Sequence, residues 1–281
     1  MLSAQLIGIL AGLASAFIWG SGDFAGGLAA RRGRHFQVVT LSALAGLVLL
    51  IPAALLRGET LSSPASLAWS WAAGFSGAAG IAALYRALST GSAAVVAPTA
   101  GVVGAAVPVI VGSWLEGLPD GTQSAGILAG LAGIWLVSRP VSPEGASGRA
   151  ELTLAVLAGI GFGGFFVCIA QVEAGLLFAP LAVAKLAALA FGAAILALQR
   201  QPVPSPASNP LALLAGIFDV GGNLFYLIAV RYIPLAVAAV LASMYPASTV
   251  LLSMIVLRER VRGWQALGVI LCLVAVVLVT F

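Results

Sequence analysis

The sequence predicts an all-α integral membrane protein: ten transmembrane helices arranged as two inverted five-helix repeats around a central cavity. Composition is the first reason. Hydrophobic residues make up 61% of the 281 and charged residues 8%, against roughly 25% charged in a soluble domain, so the chain cannot cover itself with a water-facing surface. The second reason is that ten apolar runs approach the ~20 residues a bilayer crossing needs. The third is that these runs form two blocks of about 140 residues with five runs each. Five is odd, so a second copy must enter the membrane from the opposite side. Inverted repeats of this kind build many secondary transporters, which hold the solute between the halves near the bilayer midplane.

The expected spans are 4–28, 36–57, 66–88, 92–113, 122–138, 151–173, 178–198, 209–231, 234–257 and 263–280. No basic residue precedes the first run, as a secretory leader would require, so that run is expected to stay as a span. The breaks carry charges and turn formers: Arg31-Arg32-Gly33-Arg34, Arg57-Gly58-Glu59, Pro119-Asp120-Gly121 and the proline-rich stretch from Gln201 to Pro210. The longest polar stretch runs from Arg139 to Arg149, at the centre of the chain. It divides the sequence into a first repeat, 1–139, a linker, 140–150, and a second repeat, 151–281.

An offset of 143 residues superimposes the halves. Trp19-Gly20 falls on Phe162-Gly163, Gly91 on Pro234 and Glu116 on Glu259; one residue later in register, Gln123 and Gly126 meet Gln265 and Gly268. Loop charge tests the inversion, because equivalent loops should then face opposite sides. The loop after span one holds Arg31, Arg32 and Arg34, while its counterpart after span six holds Glu173. The loop after span four holds Glu116 and Asp120, while its counterpart after span nine holds Arg258, Arg260 and Arg262. The asymmetry flips between halves. Arginines concentrate on the side reached after odd-numbered spans, which the positive-inside rule makes cytoplasmic, leaving both termini outside.

The net charge of +4 and a pI near 9.6 therefore reflect topology. No basic stripe with interleaved aromatics exists for nucleic acid to follow. Cys168 and Cys272 lie far apart inside apolar runs, and His35 is the only histidine. These residues predict no metal site and no cofactor. No phosphate-binding loop with a Gly-Lys-Ser/Thr ending is present, which argues against ATP-driven pumping.

Asp219 is the best placed polar residue, roughly 15 Å into span eight at 1.5 Å per residue. Asn223 and Tyr226 follow at i+4 and i+7 on the same face. A charge at this depth costs about 2.5–3.5 kcal/mol on insertion scales and needs a reason. The stripe is read as binding a proton or a solute, against the alternative of a helix-joining hydrogen-bond cluster. Trp19 and Tyr245 join it as candidate solute contacts. Asp23 and Arg86, near the ends of spans one and three, form a candidate ion pair or gate. Lys185, the only lysine in the chain, lies inside span seven, with Glu173 as its expected partner. Pro98 and Pro108 in span four and Pro246 in span nine are expected helix breaks. Spans four and nine are repeat equivalents, so paired breaks point to a midplane site.

The run Phe17-Ile18-Trp19-Gly20-Ser21-Gly22-Asp23-Phe24 resembles the first-helix signature of EamA-type transporters of the drug/metabolite transporter superfamily. The segment from Tyr245-Pro246 through Leu257-Arg258-Glu259-Arg260 to Gln265-Ala266-Leu267-Gly268 is similar to that family's closing pattern. Ala97-Pro98 through Leu115-Glu116 to Gln123-Ser124-Ala125-Gly126 repeats it in the first half. The resemblance implies a cavity lined mainly by helices one, three, four, six, eight and nine, and export of small metabolites or toxic compounds. It also implies cytoplasmic termini, opposite to the charge count.

The expected function is thus secondary transport by alternating access in the bacterial cytoplasmic membrane, exporting metabolites, amino acids or drugs, either driven by an ion gradient, with a proton as the simplest coupling, or as an uncoupled facilitator. The expected partners are a small-molecule substrate, the lipid bilayer and a coupling proton, and the expected assembly is a monomer or homodimer. An intramembrane enzyme would need a nucleophile–base cluster that a lone loop histidine does not supply. A non-transporting sensor subunit would not need midplane polar groups or broken helices.

Overall fold

The computed structural model describes residues 3–30, 35–60, 63–90, 93–137, 148–256 and 262–280. The expected linker falls largely on residues outside this set, as do Glu259 and the arginines flanking it. Among the described residues all regular structure is helical, as a lipid setting demands. Backbone amides and carbonyls have no water there and must pair within their own segment. The first half contributes α1 (Ala4–Ala30), α2 (His35–Leu56), α3 (Pro64–Thr90), α4 (Ala93–Glu116) and α5 (Gly121–Val137). The second contributes α6 (Arg149–Ala170), α7 (Phe178–Leu198), α8 (Pro210–Ala229), α9 (Leu235–Ala242), α10 (Tyr245–Val256) and α11 (Gly263–Thr280). A 3-10 turn, Pro206–Ser208, precedes α8.

Seven of these helices, α1 to α4 and α6 to α8, are long and apolar enough to cross a bilayer. Shorter apolar segments occupy the places expected for spans five, nine and ten. Large hydrophobic side chains face outward along the bundle; Leu56 and Trp114, for example, are 89% and 87% exposed. That is the surface lipid covers.

The helices pack chiefly against helices of the other half. The main pairings are α1 with α8 and α3 with α6, α2 with α8 and α3 with α7, and α4 with α6 and α1 with α9 and α10. Each becomes its neighbour in that list when the halves are exchanged. The remaining pairings, α2 with α7, α4 with α9 and α5 with α11, map onto themselves. Hydroxyls pin the crossings: Ser15 donates to the Gly222 carbonyl (2.8 Å), Ser76 to Gly161 (2.9 Å) and Thr249 to Gly20 (3.1 Å). Without a hydrophobic drive between helices in lipid, such hydroxyl bonds and close packing carry association.

The ninth segment is broken and the fourth is not. Ser243 and Met244 separate α9 from α10, and Tyr245 and Pro246 open the second piece. The chain tightens at the break, where the Met244 amide donates to Leu241 rather than to the residue four back. All eight residues of α9 are buried. By contrast α4 runs unbroken through Pro98 and Pro108, which corrects the expectation of paired breaks. One proline removes only its own hydrogen bond.

Candidate functional site

A cavity of about 650 Å³ lies between the halves. It is lined from α1, α3, α4, α6, α8 and the α9–α10 break, and also from α2 and α7. The last two were not anticipated, and α7 brings Lys185. Most of the wall is glycine, alanine and aromatic surface, with polar groups from Asp23, Ser42, Lys185, Asp219, Asn223, Ser243 and Tyr245.

Lys185 and Asp219 form an ion pair within this cavity. The expected partner, Glu173, is not the one used. Glu173 is exposed beyond the end of α6, where its amide donates to Ser66 Oγ (2.9 Å) and its carbonyl accepts from Arg231 (3.0 Å). Lys185 stands seven residues into α7, about 10 Å from its start at 1.5 Å per residue, and its amine reaches α8 instead. The path crosses α2, which packs against both α7 and α8. Gly46 of α2 makes the crossing possible. A Cβ added there would stand 3.2 Å from Cγ and Cδ of Lys185 and 3.2 Å from Cγ2 of Val220.

The pair is neither sealed nor surface-exposed. The lysine and aspartate side chains keep 16% and 35% of their exposure, which faces the cavity. Asn223, one turn on, donates its amide to the Asp219 main-chain carbonyl (2.6 Å) and is 3% exposed. Asp23 lines the cavity from α1, and Arg86 is exposed near the end of α3.

Tyr226 does not line the cavity. It lies on the same face as Asp219 and Asn223 but two turns below Asp219, where the wall has closed over it. It is fully buried, and its hydroxyl donates to the Phe166 carbonyl (3.2 Å). Its ring packs 4.7 Å from Phe166 and 6.0 Å from Trp19, and Trp19 lies 5.4 Å from Phe166. Trp19 and Phe166 present the other side of this aromatic cluster to the cavity. Gly222 admits the indole; a Cβ there would stand 2.6 Å from Nε1 and Cγ of Trp19.

Sequence reasoning passed over Ser42, Ser243 and the phenylalanines of α6. Ser243 adjoins the Pro246 break, a signal that was available. Ser42, whose hydroxyl donates to the Ala212 carbonyl (2.9 Å), carries no such signal. Tyr245 lines the cavity at the break, as does Ser243. Both members of the ion pair come from the second half.

These features define the class: a multi-pass helical membrane protein built of two repeats that enclose a largely apolar cavity bearing a few polar and charged groups. Two comparisons carry the identification further. The model of the EamA-like transporter family matches residues 6–139 and again 149–281. The chain belongs to that family, within the drug/metabolite transporter superfamily. No curated protein matches it. A solved structure titled only as the crystal structure of a protein shares its fold, with a TM-score of 0.79 at 20% identity, covering 96% of this chain and 95% of that one.

Proposed function

We propose that the protein is a secondary transporter working by alternating access, and that it exports a small zwitterionic solute of the amino-acid kind. The observation that carries this is the cavity-facing Lys185–Asp219 pair. A cavity with a resident cation and anion already in contact suits a solute whose own charges are neighbours. The solute's carboxylate takes Lys185, its ammonium takes Asp219 and Asp23, and each new contact replaces the one it breaks. A solute with a single charge would leave one member of the pair without a partner, and an unpaired buried charge is costly. Trp19 and Tyr245 supply flat apolar walls for a side chain, and Asn223 steadies the Asp219 backbone.

In this reading residues 1–139 and 151–281 are inverted repeats joined by 140–150, and the chain crosses the membrane ten times. The exchange-symmetric helix pairing supports that arrangement. The arginine-rich face reached after odd-numbered spans is cytoplasmic, in a bacterial inner membrane. A proton and the solute's ammonium compete for Asp219, which is the logic of antiport: neither rides with the other, and one gradient drives the other's flow. The chain catalyses no covalent chemistry.

The test is flux through purified protein in proteoliposomes with a panel built on one carbon skeleton. It comprises the amino acid, its methyl ester (amine only) and its N-acetyl form (acid only). Uptake of the zwitterion, driven by a pH gradient and absent for both analogues, is the expected result. Flux of the ester alone would replace this reading with cation transport.

A further inference from the structure

Among the described residues, the two ends of the bundle are closed differently. At the face reached after even-numbered spans, carboxylates from the first half hold helix starts of the second. Glu59, between α2 and α3, accepts hydrogen bonds from the amides of Phe178 (2.7 Å), Ala179 (2.9 Å) and Leu177 (3.1 Å) at the start of α7. Glu116, the last residue of α4, accepts from the Leu235 amide (2.9 Å) at the start of α9. Ser66 Oγ is a third acceptor between the halves, taking the Glu173 amide. Anionic side chains at helix N-termini combine hydrogen bonding with the favourable end of the helix dipole. The helix that Glu116 holds is the wholly buried α9, which packs against α1 and α4 and ends at the Ser243–Met244 break beside the cavity.

Among the described residues, the opposite face has the counterpart of the Glu59 contact without the charge; Glu259, which aligns with Glu116, lies outside them. At the 143-residue offset Pro202 stands where Glu59 does, and the contact there is neutral, from Gln37 Nε2 to the Pro202 carbonyl (3.1 Å). The cavity lining comes within about a turn of helix ends at both faces, at Gly26 and Val38 on the odd-span side and at Phe166 and Leu181 on the even-span side. The sides differ in that Phe166 and Leu181 are buried, 6% and 1% exposed, whereas Asp23 on the odd-span half of α1 is exposed.

We propose that Glu59 and Glu116 are the latches of a gate at the even-span face, with α9 as the plug and the α9–α10 break as its hinge. The structure is then the conformation open toward the odd-span face. Access to the Lys185–Asp219 pair from the even-span face requires both carboxylates to let go of the other half. This rests on the alternating-access reading and adds to it which residues set the balance between the two facings.

The single lysine of the chain is the reporter. Full-length protein in oriented proteoliposomes is treated from one face or the other with a small membrane-impermeant acylating reagent, sulfosuccinimidyl acetate. Modification of the Lys185 peptide is followed by mass spectrometry, which separates it from the N-terminal amine. In the wild type, labelling from the odd-span face dominates. In Glu59→Gln/Glu116→Gln, labelling from the even-span face rises by roughly tenfold or more, the factor that corresponds to about 1.4 kcal/mol of differential contact. Asp120→Asn removes a carboxylate from the same face that caps its own half through the Gln123 amide, and it leaves the pattern unchanged. Should the double variant not fold, Glu116→Gln, which gives up one bond, carries the same readout. Unchanged sidedness in a folded latch variant with wild-type flux overturns the latch. Labelling from one face only in every protein, with no solute flux, overturns the alternating-access reading and the latch with it.

Discussion

Lys185 of α7 and Asp219 of α8 are joined across α2, over the one position in that crossing without a side chain, Gly46. The arrangement places opposite charges inside a cavity rather than in a sealed core. Sealed pairs are costly to break, and fully exposed ones contribute little. A pair that faces a cavity lies between these limits, where a solute bearing both charges can take it apart and re-satisfy both members.

Removing one member should therefore be worse than reversing both. Lys185→Met and Asp219→Asn each strand a charge or delete a solute contact, and both should abolish flux. Breaking a buried pair costs about 3–5 kcal/mol, and cavity exposure reduces that here, so a melting-temperature loss of a few degrees is expected. The double variant Lys185→Asp/Asp219→Lys should recover most of the thermal stability. Flux assays and thermal melts on the four proteins check this.

Gly46→Val should act on the pair without touching either charge. A Cβ there already meets the lysine stem at 3.2 Å, and a branched side chain would push it from its path. Overpacking of this kind costs about 1–3 kcal/mol. Flux should fall by at least about tenfold while Gly46→Ala stays within a few fold of wild type.

The aromatic cluster separates solute contact from support. Tyr226→Phe deletes a buried hydrogen bond to a Phe166 carbonyl that lies within α6, a loss of about 0.5–1.5 kcal/mol, and should lower stability with little change in apparent solute affinity. Trp19→Ala removes cavity wall and should weaken solute binding by about tenfold. Paired melts and concentration-dependent uptake distinguish the two effects.

The prolines of α4 and of the α9–α10 break should differ. Pro246→Ala restores a hydrogen-bond donor at the break, and is expected to slow transport while raising thermal stability. Pro108→Ala, in a helix that is continuous already, should leave transport rates within about twofold of wild type. Transport rates of the two variants, measured side by side, settle this.

Much of the architecture was legible because membrane residence writes itself into composition: long apolar runs, glycine-rich crossings and charges confined to breaks. The depth of Asp219 and the interruption at Pro246 were legible for the same reason, each being a local exception to a lipid-facing rule. The partner of Lys185 was not. Ion-pair choice depends on which helices cross, and the linear order of spans six, seven and eight hides the fact that α2 lies between α7 and α8. Tyr226 was misplaced on related grounds, since a shared helix face says nothing of where a cavity ends along that face. The continuity of α4 depends on whether the neighbouring turns hold, which counting prolines does not reveal. Glu59 had no signal at all: a loop glutamate looks the same whether it faces water or caps a helix more than a hundred residues away.

The most direct test of the Lys185–Asp219 seat uses the chain's single lysine again. Reductive methylation with 13C-formaldehyde labels Lys185 and the N-terminal amine, and Lys185→Arg assigns the two resonances. Titration with the transported amino acid should shift the Lys185 resonance saturably, with its methyl ester and N-acetyl analogues producing little change at equal concentration. A Lys185 resonance that stays put while the amino acid is transported would contradict a seat built on this ion pair.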